Sequence, residues 1–178
     1  MKKQTEGCKC RLAQLPLSGK GEDAMQEEMF ARRAEALRPR LYRTALMYFG
    51  DAVRAEDVLD EALFRGLRSC RMLRREEFFN TWLTRILINE CHRESRRMRR
   101  VQPMAELPET ATEAFDALPL KEAIRMLPVE LKEVVILRYF AGYTVQETAE
   151  ALRIPQGTTA TRQRYALALL RLELGEED

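Results

Sequence analysis

The chain has 178 residues, and 46% of them are hydrophobic, which is enough for a packed core and excludes a disordered chain. The net charge is only +2, so the distribution of the charges says more about binding partners than their sum does. No apolar run could serve as a signal peptide or cross a membrane, and the four cysteines lack the paired spacing of a secreted disulfide framework. These features predict a soluble cytoplasmic protein of one or two domains, with no membrane partner.

Residues 1–24 contain proline and glycine with little hydrophobic periodicity, which predicts a disordered leader. Cys8 and Cys10 lie close together in this leader. A zinc site takes four ligands at defined spacing, however, and the chain has a single histidine. We therefore predict a free pair of thiols, no metal and no cofactor.

Residues 25–100 predict three helices that pack into a compact all-α domain. Gly50 is a stop signal for the first helix, and Asp51 can cap the second, which extends to about Leu67. The second helix also carries a group of acidic side chains, at Glu56, Asp57, Asp60 and Glu61. A solvated face is one interpretation of this group. The other is a surface for a protein partner, because an acidic surface repels DNA.

The third predicted helix, Phe78–Arg100, carries two different stripes. One is apolar and faces the core, and Trp82 belongs to it. The other is basic, since the stretch from Arg85 to Arg100 has six arginines and two glutamates. Such a helix suits a polyanion, although a solvated charged face fits this segment equally well when it is taken alone.

Residues 101–118 contain two prolines and four acidic side chains, which predicts a flexible linker to a second domain at residues 119–178. In the second domain, Thr144 and Glu147 have the spacing of a capping box at a helix start. Pro155 lies in a short turn before a last helix that extends to about residue 174. Two helices joined by such a turn predict a helix-turn-helix.

The last helix is predicted to bury Leu167, Leu170 and Leu174 and to leave its other side free to enter a groove of DNA. The free side chains are those of Thr158, Thr161, Arg162, Arg164 and Tyr165. An αα-hairpin without a role in DNA binding is the alternative. The capping box, the proline in the turn and the arginines early in the second helix favour DNA.

Four segments occur in the order and spacing of one known family. They are Ala55–Ala62, Thr81–Asn89, Leu127–Leu131, and Tyr143–Ala149 followed by Gly157 and Thr158. From about residue 25 to residue 174, the chain resembles an extracytoplasmic-function (ECF) sigma factor of bacterial RNA polymerase. The resemblance implies an initiation factor with no catalytic activity, and two helical domains of which the second is a helix-turn-helix.

The resemblance also implies roles for individual residues. The acidic helix would dock on core RNA polymerase through Asp57, Asp60 and Glu61, with Leu59 and Phe64 as apolar contacts. The family usually has glutamine at the position of Asp60, so this contact is expected to differ.

The third helix would bind the −10 element of the promoter as a single strand. Asn89 matches a family residue that contacts an extruded base, and the arginines would bind backbone phosphates. The residues implied at the −10 element are Arg85, Asn89, Arg93, Arg96 and Arg97.

The last helix would bind the duplex −35 element in the major groove through Thr158, Thr161, Arg162, Arg164 and Tyr165. The family often has a hydrophobic residue at the position of Thr159 and a basic residue at the position of Ala160, so the base preference is expected to be its own. The linker would follow the RNA exit path. Many relatives are held by an anti-sigma protein, which adds a further candidate partner.

A stand-alone helix-turn-helix regulator is the alternative function, because it too would combine a helical domain with a DNA-binding domain. The acidic helix and the linker favour a sigma factor, since a regulator needs no surface for polymerase. An enzyme is the least favoured class. The chain has one histidine, no glycine-rich phosphate loop and no paired carboxylates in an apolar pattern.

Overall fold

The computed structural model describes residues 22–73, 75–101 and 118–175, which form seven α-helices and no β-strand. The first three helices are α1 (Glu22–Phe49), α2 (Ala52–Ser69) and α3 (Phe79–Val101). The other four are α4 (Leu118–Met126), α5 (Val129–Val135), α6 (Val145–Leu152) and α7 (Gln156–Glu173). The all-α prediction is confirmed. Residues 1–21 and 102–117, and with them nearly all of the predicted leader and linker, lie outside the described residues.

α1 is one continuous helix, although Pro39 lies inside it. It begins at Glu22, so the leader predicted for residues 1–24 is too long by three residues. Gly50 ends α1 with φ +69°, a left-handed conformation that favours glycine. Asp51 then caps α2, because its carboxylate accepts hydrogen bonds from the next main-chain amides. Both signals were predicted correctly.

The core of the first half lies between α1, α2 and α3. Its fully buried leucines come from all three helices, at Leu41, Leu59, Leu63, Leu83 and Leu87. The helices approach closely at Gly66 of α2, where an added Cβ would lie 2.7 Å from Leu83 Cδ1 and 3.0 Å from Phe30 Cζ. Trp82 is half-buried and packs edge-on against Phe30, which agrees with its predicted place in the core.

Two short 3₁₀ turns, Cys70–Met72 and Glu76–Phe78, lie between α2 and α3. The helix that begins at Val129 departs from a plain α-helix. It continues beyond α5 as a π-helical segment, Ile136–Phe140, in which the Ala141 amide donates to the Ile136 carbonyl. Gly142 follows with φ +67° and turns the chain toward α6.

The helix-turn-helix consists of α6, a short turn and α7. Thr144 and Glu147 form the predicted capping box, with the Glu147 amide 3.1 Å from Thr144 Oγ1 and the Thr144 amide 2.8 Å from Glu147 Oε2. Arg153 turns the chain with φ 56°, and Pro155 precedes the first residue of α7. The helix-turn-helix prediction is therefore confirmed.

α7 buries a different set of residues from the predicted one. Ala166 and Leu170 are buried and Leu167 is half-buried, whereas Leu174 is 38% exposed. Leu174 follows the last helical residue, so the helical spacing no longer directs its side chain inward. The prediction failed there because it extended the helix by one residue.

The two halves of the chain pack against each other. Side chains of the second half belong to the same buried cluster as those of α1, α2 and α3, and they include Ile124, Leu127, Leu131, Ile136 and Leu170. The sequence predicts two domains on either side of a linker. Their direct packing, in which α3 lies against α6 and α1 against the π-helical segment, was not predicted.

Candidate nucleic-acid and protein interfaces

The acidic group on α2 is accessible in part. Asp57 and Glu61 are exposed, and Phe64, one turn further along the helix, is 44% exposed. Asp60 is half-buried, with its carboxylate 3.5 Å from Arg38 Nη2. We call Asp57, Glu61 and Phe64 the α2 surface, since they share one side of the helix at spacings of four and three residues.

Leu59, predicted as an apolar contact for polymerase, does not belong to this surface. Its side chain is 0% exposed and packs in the core. Leu59 is two residues from Asp57, which is about 200° around an α-helix, so the two side chains point in nearly opposite directions. Packing against α1 and α3 explains this leucine, and its predicted contact with a partner is wrong for this arrangement.

The arginines near the end of α3 lie around one shallow depression of about 400 Å³. They are all exposed, and they are Arg93, Arg96, Arg97 and Arg100. Asn89 is also exposed, one turn before Arg93. Four of the five residues predicted to bind the −10 element therefore lie along one end of α3, which we call the α3 surface.

Two arginines of the α3 surface form ion pairs along their own helix. Arg93 Nη1 lies 3.4 Å from Glu90 and Arg97 Nη1 lies 3.5 Å from Glu94. The two arginines are exposed, whereas Glu90 is buried and also lies 3.0 Å from Arg65 Nε, and Glu94 is half-buried.

Arg85, the fifth residue, is directed elsewhere. Its guanidinium donates to the main-chain oxygens of Glu150 and Ala151 at the end of α6, with Nε 3.3 Å from the Ala151 oxygen. Carbonyl groups at the C-terminal end of a helix lack helical partners and attract cations. Burial, and then the neighbouring charge of Arg153, lower the pKa of Arg85. In this arrangement Arg85 cannot make the predicted phosphate contact.

The outer side of α7 carries the residues predicted for the −35 element. Thr161, Arg164 and Tyr165 are exposed, whereas Thr158 and Arg162 are half-buried. The first three form an accessible face that we call the α7 surface. Thr159, where the family often has a hydrophobic residue, is completely buried, and its hydroxyl donates to the Pro155 oxygen at 3.3 Å. A buried position that tolerates threonine explains this departure from the family pattern.

Several polar side chains join the two halves and were not predicted from the sequence. The hydroxyl groups of Thr84 and Tyr143 share a buried hydrogen bond of 2.5 Å. Arg40 donates through Nε to the Ala141 oxygen, and its guanidinium carbon lies 3.7 Å from the centre of the Tyr143 ring. Periodicity reports only which residues share one helix face, so it contains no signal for partners that are 59 and 101 residues apart.

His92 also joins the two halves. Its Nε2 pairs with the buried carboxylate of Glu133 on α5. That hydrogen bond raises the pKa of His92, and partial burial opposes the increase. The charge of Arg96 lowers the pKa by a smaller amount, and the charge of Glu130 raises it. The ring of Tyr48, from α1, lies 6.5 Å from the imidazole centre to centre.

The His92–Glu133 pair is expected to make the free energy of unfolding depend on pH. The folded-state pKa of His92 lies above its ordinary value of about 6.5. The stabilisation that the pair gives to the folded state is therefore complete below about pH 6.5, and it is lost as the pH rises through the folded-state pKa. Denaturant unfolding of the wild type and of His92→Gln, followed from mildly acidic to mildly alkaline pH, checks this. The difference between the two proteins should decrease as the pH rises, and a constant difference would contradict it.

Within the described ranges, no group of three or more His, Cys, Asp or Glu side chains is placed to hold a metal ion. No described helix is both long enough and apolar enough to cross a bilayer. Cys8 and Cys10 lie outside these ranges.

Comparison with protein families matches both halves of the chain. The family described as Sigma-70 region 2 matches residues 34–101, which contain the α2 and α3 surfaces. The family described as Sigma-70 region 4 matches residues 123–172, which contain the helix-turn-helix.

Relatives with curated names are similar over most of their length. The RNA polymerase sigma-E factor of Streptomyces coelicolor is 32% identical over 165 residues, covering 89% of this chain and 90% of that protein. ECF RNA polymerase sigma factor SigL of Mycobacterium tuberculosis is 28% identical, covering 93% and 97%, and RNA polymerase sigma factor SigV of Bacillus subtilis is 28% identical, covering 77% and 86%.

Two solved structures share the fold. Sigma factor RpoE, in complex with the anti-sigma factor NepR from Bartonella quintana, has a TM-score of 0.70 at 21% identity, covering 85% of this chain and 99% of that one. CnrH, in complex with the cytosolic domain of CnrY, has a TM-score of 0.67 at 19% identity, covering 94% and 97%. With both region 2 and region 4 present in order, and with relatives similar over nearly their whole length, the chain belongs to the sigma-70 family as an ECF-type RNA polymerase sigma factor.

Proposed function

We propose that three surfaces of this sigma factor have different binding roles in promoter recognition. The α2 surface binds core RNA polymerase, the α3 surface holds the separated −10 strand, and the α7 surface reads the duplex −35 element. In this division residues 25–100 are the polymerase and −10 domain, residues 101–118 the linker, and residues 119–178 the −35 domain. The protein acts in the cytoplasm with the polymerase and has no catalytic step of its own.

The observation that carries this proposal is the sign of the accessible charge on two neighbouring helix surfaces, which meet at a depression lined by Asp57, Glu61, Arg93 and Arg97. Exposed carboxylates lie on α2, while four exposed arginines surround the depression on α3. Phosphates bind where guanidinium groups can replace condensed counterions, so the α3 surface suits a nucleic-acid strand and the α2 surface does not. The acidic α2 surface is left for a protein.

The α7 surface is suited to a duplex. α7 follows the turn of a helix-turn-helix, whose second helix enters the major groove in this class of protein. Arg164 is exposed there, and a bidentate contact from arginine to guanine is worth about 1–3 kcal/mol of discrimination. Thr161 and Tyr165 lie on either side of it in the sequence and add contacts to bases or phosphates.

An anti-sigma protein completes the set of proposed partners. RpoE, which shares the fold, was solved with the anti-sigma factor NepR. A chain that already packs its two halves together offers such a protein surfaces from both halves at once.

Transcription reconstituted from purified core polymerase tests the proposal. The full chain should confer initiation at defined start sites on a polymerase that lacks any sigma factor. If it instead bound duplex DNA tightly without polymerase and conferred no initiation, it would be a stand-alone regulator.

Substitutions on α3 and α7 are expected to separate the two steps of promoter recognition. Asn89→Ala removes a proposed contact with an unpaired base, so it should lower open-complex formation roughly tenfold and leave binding to −35 duplex unchanged. Arg164→Ala should relax the preference at one −35 position by about 1–3 kcal/mol. Permanganate reactivity measures strand opening, and gel shift with −35 duplexes measures the second effect. Equal losses in both assays from Asn89→Ala would contradict the division.

A further inference from the structure

The depression between α2 and α3 contains one buried carboxylate that lies between the α2 surface and the α3 surface. The depression has a volume of about 570 Å³, and Glu61, Arg65, Glu90 and Arg93 are among the residues that line it. Glu90 is 5% exposed and follows Asn89 directly on α3. A carboxylate is rarely buried unless it is paired, so the partners of Glu90 indicate what it does.

Glu90 lies in the middle of a continuous line of ion pairs. Glu61 Oε1 lies 2.7 Å from Arg65 Nε, and the same nitrogen lies 3.0 Å from Glu90 Oε1. The other oxygen of Glu90 lies 3.4 Å from Arg93 Nη1. The line therefore joins a carboxylate of the α2 surface to a guanidinium group of the α3 surface, and it contains two charges of each sign.

The contacts along this line compete with one another. Arg65 has a single Nε–H group, so Glu61 and Glu90 share one donor, and a stronger bond to one weakens the bond to the other. Glu90 is in turn shared between Arg65 and Arg93. If Glu61 is withdrawn, one carboxylate remains between two guanidinium groups, and part of their positive charge is no longer compensated. Arg93 has the more exposed side chain of the two arginines, so it is the group that can turn to another anion.

A neighbouring set of ion pairs does not make the same connection. Arg54 Nε lies 3.5 Å from Asp51 Oδ2, and Arg54 Nη1 lies 4.0 Å from Glu94 Oε1. The other oxygen of Asp51 caps α2, so this set begins at a residue with a structural role and does not include the α2 surface. Among the described ion pairs, those of Glu90 are therefore the ones that connect the two surfaces.

We propose that Glu90 is a positioning residue through which binding at the α2 surface and binding at the α3 surface strengthen each other. When a protein partner takes Glu61, Arg65 turns to Glu90, and Arg93 is released toward a phosphate of the strand. In the opposite direction, a phosphate that binds Arg93 leaves Glu90 to Arg65 and frees Glu61, because coupling between two sites is reciprocal. The inference rests on the functions proposed above for α2 and α3.

Glu61→Gln tests the coupling in the free full-length chain, because it removes the charge that a docked partner would neutralise. Glu56→Gln is the matched control, since Glu56 is also an ion-paired carboxylate of α2, but its partner, Arg38, lies on α1. Fluorescence anisotropy with a labelled single-stranded DNA of mixed sequence gives the affinity at a series of salt concentrations. We expect Glu61→Gln to bind the strand roughly fivefold more tightly than the wild type, and Glu56→Gln to bind as the wild type does.

The salt dependence distinguishes a new phosphate contact from a general gain of positive charge. One further contact with a single strand steepens the slope of log affinity against log salt concentration by roughly 0.7. We expect this change in Glu61→Gln and not in Glu56→Gln.

A double-variant cycle tests the part of Glu90. In a chain that carries Glu90→Gln, the further change Glu61→Gln should add neither affinity nor slope, because the link between Arg65 and Arg93 is gone. Arg65→Gln breaks the same line on α2 and takes the place of Glu90→Gln if that variant does not fold by circular dichroism.

A gain from Glu61→Gln no larger than that from Glu56→Gln would overturn the inference, and so would a gain that persists without Glu90. In both cases strand binding by the wild type would leave the function proposed for α3 intact. A wild-type chain that binds no strand, either alone or with core polymerase, would instead remove that function and the coupling with it.

Discussion

Asp57→Arg combined with Glu61→Arg is expected to abolish binding to core RNA polymerase while the chain still folds. Both carboxylates are exposed on one side of α2, so the two arginines need no space in the core. Reversing both charges replaces attraction with repulsion at the proposed polymerase contact. Like charges opposed across an interface cost several kcal/mol, which corresponds to a loss of affinity of roughly 100-fold or more.

Binding to core polymerase is measured by fluorescence titration, and the fold is checked by circular dichroism and thermal unfolding. Glu28→Arg with Glu35→Arg is the matched control, because it makes the same change of charge at two exposed positions of α1 in the same half of the chain. The control should bind polymerase nearly as the wild type does. Equal losses in both double variants would point to net charge rather than to the α2 surface, and normal binding by the first would remove the docking role of α2.

Leu59→Ala is expected to lower the free energy of unfolding by about 2–5 kcal/mol, because it leaves a cavity where a completely buried leucine packs between the first three helices. Phe64→Ala, five residues further along α2, should lower it by about 1 kcal/mol or less, since this side chain is 44% exposed. Urea denaturation measures both values.

The same two variants should show the reverse order in their effect on polymerase binding. At a temperature where both are folded, Phe64→Ala should weaken binding and Leu59→Ala should not. A stable Leu59→Ala protein that fails to bind polymerase would restore the contact first predicted for this leucine. The two variants therefore test whether an apolar residue on α2 contacts polymerase because it is exposed or because acidic residues surround it.

Local signals in the sequence were enough to predict most helix boundaries. Gly50, Asp51 and the Thr144–Glu147 capping box act through groups within a few residues of each other, and each lies where it was expected. Leu59 and Arg85 lie away from the surfaces predicted for them in this arrangement, for a different reason. Both residues were assigned by the character of their segment, whereas their actual partners come from other helices.

Long-range polar contacts could not be predicted from the sequence for the same physical reason. The hydrophobic pattern indicates that one side of a helix is buried, but not which helix covers it. Arg85 and Asn89 look equivalent in a basic segment, and only the position of α6 makes one engaged and the other exposed.

The order of α1 to α7 along the chain has a consequence for the newly made protein. α1, α2 and α3 contact each other through neighbouring segments, whereas the carbonyl partners of Arg85 on α3 lie 65 and 66 positions later in the chain. On a translating ribosome, where N-terminal units fold first, α1, α2 and α3 can form before α6 has emerged. Each nascent chain therefore passes through an interval in which Arg85 has no carbonyl partner and can meet cellular RNA or DNA.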